Sequence, residues 1–313
     1  LYSGLRRSLR RRSAACWIAC GCLRIELQSG LPQYARWLTR AKDHMIIRWE
    51  DLCWTDFAAV DPARAVALLP VSAIEQHGPH LPLGVDAMIN AGLLAAALPQ
   101  VSETTPLYLL PALPYGKSDE HGAFPGTISL SAETLMHLWL DIAQSVRRAG
   151  LRKIVLLNSH GGQPQVAQIV AQTLRMQHQM LAVVANTYGF GEPPGLFPAS
   201  EQSHGIHGGA HETSLMLRLQ PDLVRHGEVR DFAPASLALA ESHQELRFIG
   251  DVAMAWATQD LHGSGACGNA TLASAEAGAA LVRHMSGRLA KLLDEVAEYP
   301  LESLRAGPLD SRV

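Results

Sequence analysis

The chain has 313 residues, 48% of them hydrophobic and 18% charged, with mean hydropathy near zero. That length makes one large domain or two small ones, and the composition excludes a globally disordered chain. No run approaches the roughly 18–20 apolar residues of a membrane span, so no membrane association is expected. The net charge of −3 is unevenly spread. Residues 1–44 carry nine Lys/Arg against Glu26 and Asp43, which leaves the body near −10. An acidic body is a poor nucleic-acid binder, so no nucleic-acid partner is expected.

The first 44 residues admit three readings. They are an extension upstream of a true start at Met45, a targeting segment with a basic stretch before a short apolar one, or a metal-binding cluster of Cys16, Cys20 and Cys22. No partner ligands flank those cysteines at zinc-site spacing. The body, 45–313, then holds only Cys53 and Cys267. Two isolated cysteines point to a reducing compartment, and a cytoplasmic protein is expected.

Strands and helices alternate along the body. Ala65–Val71 reads as a buried strand, Asp86–Leu98 as a helix, and Pro106–Leu113 as a strand bounded by prolines. Thr127–Leu130 is a short extended stretch. Ser131 is a predicted N-cap for a helix that runs to Ala149 and closes on Gly150. Lys153–Leu157 is a strand, Pro164–Gln177 a helix, Leu181–Ala185 a strand, and Thr271–Ala297 a long Ala-rich helix. Gly189–Gly205 reads as a loop, and 226–265 has no clear pattern. The order predicts an α/β fold: a mostly parallel sheet with helices on both faces, in a single domain.

In such sheets ligands sit beyond the carboxyl ends of the strands. Two predicted strands end in polar turns rich in metal-ligand types, and the two turns should face each other. The first turn carries Glu75, His77, His80 and Asp86. Glu75 and His77, two apart on extended chain, share a face. Taken alone, Asp86 is an ordinary first-turn helix carboxylate and Glu75 an ordinary loop acid; the set within twelve residues is less easily ordinary. The second turn is Asn158-Ser159-His160-Gly161-Gly162, where Gly161 and Gly162 could present N–H groups to a developing oxyanion. A third cluster, His204 to Ser214, holds His204, His207, His211 and Glu212 before an apolar helical run. His211 and Glu212 are adjacent, so on a helix they cannot meet at one point, and at least one of these histidines is expected to be structural. Imidazoles and carboxylates exceed the needs of one mononuclear site, and five ligands with a bridging carboxylate suit two metals of the Zn, Mn or Fe type. No cysteine belongs to the set, which argues against a structural thiolate site.

The segments LLPVSAIEQHGPHLPLGVDA, YGKSDEHGAFPGTISLS, LLNSHGG, GGAHETSLML and GACGNATLASAEAG resemble the creatininase (creatinine amidohydrolase) family, from about Ala65 to Leu292. The resemblance implies an α/β fold, two divalent metal ions per subunit, and hydrolysis of a non-peptide C–N amide bond in a small molecule, most simply creatinine to creatine. It also implies a homo-oligomer, commonly a hexamer. It assigns Glu75, His77, Asp86, His160 and Glu212 as ligands, with Asp86 as the bridge, His207 as general acid/base, and His121 as a residue lining the site.

Two departures stand out. Creatininases of the resemblance carry Tyr-Glu after the ligand histidine, and that Glu is a ligand; this chain has Gly161-Gly162, so the role passes to Glu212. The tryptophans those enzymes close over creatinine are missing from 186–214, which holds only Tyr188, Phe190 and Phe197. Alternatives within the family are a formamide deformylase and a hydrolase that trims a modified peptide. Outside it stand a non-catalytic metal- or ligand-binding protein and a serine hydrolase using Ser159, although no Gly-x-Ser-x-Gly elbow occurs.

Overall fold

The computed structural model describes residues 46–307; the basic segment 1–44 and its competing readings lie outside the described residues. Five strands form one all-parallel sheet: β1 (Ile46–Arg48), β2 (Val66–Val71), β3 (Leu107–Leu109), β4 (Lys153–Asn158) and β5 (Leu181–Asn186), in the order β1-β3-β2-β4-β5. The central pair, β2 and β4, is buried at every position. Both read as nearly continuous apolar runs because helices cover both faces. They pair from Val66↔Lys153 to Val71↔Asn158, so their carboxyl ends finish level.

Alternate residues of the strands feed two cores. Val66, Leu68, Val155 and Leu157 pack with α1 (Val85–Ala97) and with two later helices, α5 (Ala210–Leu219) and α8 (Ala275–Glu298). Ala67, Leu69, Ile154 and Leu156 pack with α2 (Ala132–Arg148) and α3 (Pro164–His178). This is the expected parallel sheet sandwiched by helices. Short elements complete the chain: α4 (Ala199–His204), α6 (Ala235–Ser242), α7 (Thr258–Leu261), and an antiparallel pair, β6 (Asp231–Phe232) with β7 (Gly268–Asn269). No helix among the described residues is long and apolar enough to cross a membrane.

The caps follow their local chemistry. Ser131 Oγ accepts the Thr134 amide at 3.2 Å and opens α2. Gly150 takes φ +100° just past its end, as a closing glycine should. The long C-terminal helix starts at Ala275, four residues later than expected. Asn269 caps a separate 3-10 turn over Ala270–Leu272, and Ser274 then accepts the Ala277 amide to cap α8. Two capping residues five apart split the apolar run. The expected strand over Pro106–Leu113 shrinks to three residues because Pro106 and Pro111 bring no N–H to the ladder. The 127–130 stretch supplies only the bridges Ile74↔Ile128 and Gly116↔Ser129. The expected loop 189–205 contains α4, opened by Pro198.

Lys153, at the start of β4, is wholly buried. Its Nζ donates to the carbonyls of Val296, Ala297 and Tyr299 at 2.9, 2.6 and 2.8 Å, so its three protons meet the end of α8. A cation at a helix carboxyl end is favoured by the aligned peptide dipoles. This bolt ties the sheet to the helix that backs α5. Lys153→Met is expected to cost about 2–4 kcal/mol, because charged hydrogen bonds are lost and three carbonyls are left buried. The urea midpoint measures it, and an unchanged midpoint would contradict the assignment.

Candidate metal centre

The site is built where β2 and β4 end. After Val71 the chain leaves the sheet through a loop held by Glu75 N–H to Leu83 O (2.9 Å) and by Ile128 N–H to Ile74 O (2.9 Å). That loop carries Glu75 and His77 and runs into α1, whose second residue is Asp86. After β4, Asn158 clamps the turn: its Nδ2 donates to His160 O (2.7 Å), and its Oδ1 accepts from His160 N–H (3.1 Å) and Gln163 Nε2 (2.9 Å). The two turns meet as expected.

His160 Nδ1 lies 3.1 Å from Glu75 Oε2 and 3.3 Å from Asp86 Oδ2. His77 Nε2 lies 3.4 Å from Asp86 Oδ1, 3.8 Å from Glu212 Oε1 and 3.9 Å from Glu75 Oε1. Asp86 thus turns one oxygen to each histidine. Glu75, Asp86 and His160 form one ligand-type cluster, and His77, His207 and Glu212 another, each with donor atoms within 4.8 Å of one another. A third cluster joins Glu75, His121 and His207.

Backbone carbonyls settle which ring nitrogen of each histidine faces the centre. His77 Nδ1 donates to Glu75 O (3.1 Å) and His160 Nε2 to Lys117 O (2.7 Å). That leaves His77 Nε2 and His160 Nδ1 as the free lone pairs turned toward the carboxylates, the outer-shell pattern that orients ligating imidazoles. His77 Nε2 and Asp86 Oδ2 are buried and have no hydrogen-bond partner. Buried polar atoms are rarely left so. Two orphaned atoms of ligand type, one on each side of the Asp86 carboxylate, are what bound cations would satisfy.

The electrostatics point the same way. Burial pushes the His77 imidazole down, but Glu212 and Asp86 overcome it and hold it well above its ordinary value. His160 is likewise pressed down by burial and lifted well above normal by Glu75 and Asp86. Asp86 and Glu212, which burial raises, end below the carboxylate range because these imidazoles face them. Positive charge is in demand here, and among the described residues no Lys or Arg pairs with Glu75, Asp86 or Glu212.

Glu212 and His207 arrive from the far half of the chain. Gly209 precedes α5, and Glu212 Oε2 folds back to accept the Gly208 amide at 2.5 Å. The buried carboxylate of Glu201, on α4, accepts the Ala210 amide (Oε1, 2.7 Å) and the Asn269 amide (Oε2, 2.7 Å). It therefore fixes the N-terminus of α5 against β7. Side chains at Gly205 or Gly209 would run into it, with an added Cβ only 2.4 Å from Oε1. His207 pairs with Cys267 in a two-way bridge and is buried. Its ring stacks between His77 and His121, at 4.1 Å from each. Burial, then the charge on His77, lowers its affinity for a proton.

Other expected residues lie elsewhere. His80 turns away from the centre; its Nε2 meets Gly208 O and Thr213 Oγ1 at 3.0 Å, its ring stacks on Phe232, and burial lowers its pKa to about 4. His204 bonds Ser236 Oγ at 2.9 Å, so it is one of the structural histidines anticipated in that cluster. Ser159 Oγ is buried and donates to Asp86 O at 2.9 Å while accepting from Asn90 Nδ2 at 3.2 Å, a scaffold hydroxyl rather than a nucleophile. Cys267 is a buried thiol pushed up to about 12 by desolvation and is inert. Gly161 is exposed, with open space where a side chain would stand.

Three further residues join the site that the sequence does not single out. Glu120, beside His121 in the EHGAFPGT segment, places Oε1 at 3.4 Å from His160 Nε2 and Oε2 at 3.5 Å from Lys117 Nζ. A Cβ on Gly162 would fall 1.7 Å from that Oε1, so Glu120 fills the space a residue-162 side chain would take. Gln76 and Thr258 both contact His121. Glu120 and Gln76 carry one sequence signal, adjacency to candidate ligands; Thr258 carries none.

Comparison with known proteins identifies the family of the chain. The creatininase family model, described as creatinine amidohydrolase, matches residues 50–293. A creatinine amidohydrolase of Pseudomonas putida is 34% identical over 203 residues, 59% of this chain and 76% of that protein. A mycofactocin precursor peptide peptidase of Mycolicibacterium smegmatis is 32% identical over 166 residues, 52% of this chain and 62% of the peptidase. A mutant creatininase of Zn-Zn type superposes with TM-score 0.63 at 26% identity, over 81% of this chain and 98% of that one. A manganese creatininase superposes with TM-score 0.62 at 25% identity, over 81% and 98%. Sequence and fold agree, and the chain belongs to the creatininase family of amidohydrolases.

Proposed function

We propose that this chain hydrolyses the C–N amide bond of a small molecule with the help of two divalent metal ions, Zn, Mn or Fe, held by Glu75, His77, Asp86, His160 and Glu212. The observation that carries this reading is Asp86 facing two histidines at once, 3.4 Å from His77 Nε2 and 3.3 Å from His160 Nδ1, with buried atoms on both sides unsatisfied. In this reading Glu75, Asp86 and His160 hold one ion, and His77, Asp86 and Glu212 the other. Mixed imidazole and carboxylate donors suit Zn, Mn and Fe alike. Such ions supply Lewis acidity to a carbonyl and bring the pKa of water toward neutrality.

The protein's own groups do the rest. His207 donates through Nε2 to Gln76 O (2.6 Å), so its Nδ1 lone pair faces Glu75 Oε1 at 3.8 Å. That lone pair is placed to take a proton from the attacking water and to return it to the departing nitrogen. We assign it the acid/base role. The amides of Gly161 and Gly162, in the turn that carries His160, are proposed as further donors to the tetrahedral oxyanion. Creatinine is the first substrate to try, given the Pseudomonas relative. The peptidase relative and the open space beside Gly161 favour larger amides as the second choice.

Chelation followed by reconstitution with Zn or Mn should abolish and then restore turnover. A binding protein of the same fold would show no turnover in either state. Glu75→Gln and His160→Ala should lose bound metal and activity together, read by metal analysis and assay. His207→Ala should keep its metal and lose about 10²–10⁴-fold in kcat; full turnover by that variant refutes the acid/base role. Glu120→Gln, which removes the charge 3.4 Å behind His160 Nε2, should weaken metal binding by about 10–100-fold, the range for lost outer-shell support. A direct metal titration checks it, and unchanged or tighter binding would mean that Glu120 is not needed there.

A further inference from the structure

His121 and His207 stack face to face, and one side chain touches both. Gln76 is buried between the two assigned ligands Glu75 and His77. Its amide cannot be flipped without loss: Oε1 accepts the Gly78 amide at 2.9 Å, and Nε2 donates to Gly265 O at 2.9 Å. Both partners are backbone groups of fixed polarity. Nε2 is therefore a donor, and its second proton faces His121 Nδ1 at 2.7 Å. A donor-only atom at that distance requires Nδ1 to accept. The Thr258 hydroxyl, also 2.7 Å from Nδ1, can turn its proton to that nitrogen or to Glu120 O at 2.9 Å, so it makes no contrary demand.

The neutral His121 ring then carries its proton on Nε2, which points into the centre at 3.5 Å from Glu75 Oε1. His207 is held the other way, because its Nε2 must donate to Gln76 O and its Nδ1 is bare. Main chain and side chain of one residue thus set both rings. We propose that Gln76 is a positioning residue that fixes the protons of the stacked pair, so that His207 offers a lone pair and His121 an N–H to the carbonyl oxygen of a bound amide. The second half of this statement rests on the hydrolase reading above; the first does not. It also decides the third ligand-type cluster. With a proton on Nε2, His121 cannot ligate a cation, so Glu75, His121 and His207 are not a metal subsite despite their proximity.

The tautomers are read directly from ¹⁵N shifts of histidine-labelled, zinc-loaded protein. His121 should show a protonated Nε2 and bare Nδ1, and His207 the same pattern; because the rings are oriented oppositely, these place an N–H and a lone pair at the centre. A His121 protonated on Nδ1, or a third zinc per subunit, overturns the proposal. Gln76→Glu replaces the donor by an acceptor and should move the His121 proton to Nδ1. Gln76→Met, which has no donor, covers the case in which that variant fails to fold, and should leave His121 as a mixture of tautomers. On whichever amide the wild type cleaves, creatinine first, His121→Phe should lose about 10²–10³-fold in kcat, the cost of one oxyanion donor. Bound zinc and KM should stay near wild type, and His121→Asn should recover part of the loss. Full kcat in His121→Phe removes the donor role. A wild type that cleaves no amide refutes the hydrolase reading instead, and the ¹⁵N result still decides the tautomer lock.

Discussion

The rest of the site depends on a concentration of negative charge that no lysine or arginine among the described residues pairs with. Glu75, Asp86 and Glu212 converge in a space where the nearest basic groups are histidines. Glu75 and Asp86 bring carboxylate oxygens within 4.8 Å of each other, where two like charges repel by at least about 3 kcal/mol at an effective dielectric of 20. A protein with no need of a cation would relieve that repulsion with an arginine or lysine, or protonate an acid. Here the backbone does the reverse. It ties the outward nitrogens of His77, His160 and His207 to carbonyls, so the neutral form of each ring keeps its lone pair on the inward nitrogen, where either a proton or a cation can sit.

Holding that arrangement is the work of the surrounding fold. The in-register ends of β2 and β4 place one acid and one imidazole on opposite turns, and Asn158 fixes the second turn from its own side chain. Glu212 comes from α5, a separate element that must be brought to within 4 Å of His77. Three devices do so. Glu201 pins the helix start; Gly278 on α8 lets it pass so close to α5 that a Cβ there would lie 1.9 Å from Ser214 O; and Lys153 bolts the far end of α8 to β4. The helix that delivers the last carboxylate is thus connected back to the strand that delivers His160.

The half of the site that follows from local chain geometry is legible in the amino-acid sequence. Glu75 and His77 lie two apart on extended chain, Asp86 in the first turn of a helix, and His160 just past a buried strand; each placement needs only a periodicity and a turn. The two central strands are legible for the same reason, since β2 and β4 are apolar almost throughout. The outer parts are not. Gln76 reads as a spacer between two candidate ligands, and the role proposed for it appears only when Gly265, 189 residues away, supplies the carbonyl that orients its amide. The α4 helix hides behind three prolines that suggest a loop, although Pro198 at its start is compatible with opening a helix. The strands β6 and β7 are two residues each, too short to show a period.

The exchange at Gly162 shows how one charge can be kept on a different scaffold. The family resemblance sets the expectation of a carboxylate two residues after His160, on the same turn. In this chain that turn is bare, and the carboxylate of Glu120 enters the same volume from the segment after β3. It reaches the outer nitrogen of His160, on the side away from Glu75 and Asp86, and is paired there with Lys117. Its position supports the imidazole from behind, while Glu212 faces His77 from across the centre. The two tasks of the missing residue, supplying charge and filling space, are thereby divided between residues from two different parts of the chain. With no side chain at 161, the turn leaves open space beside His160 that a side chain there would occupy.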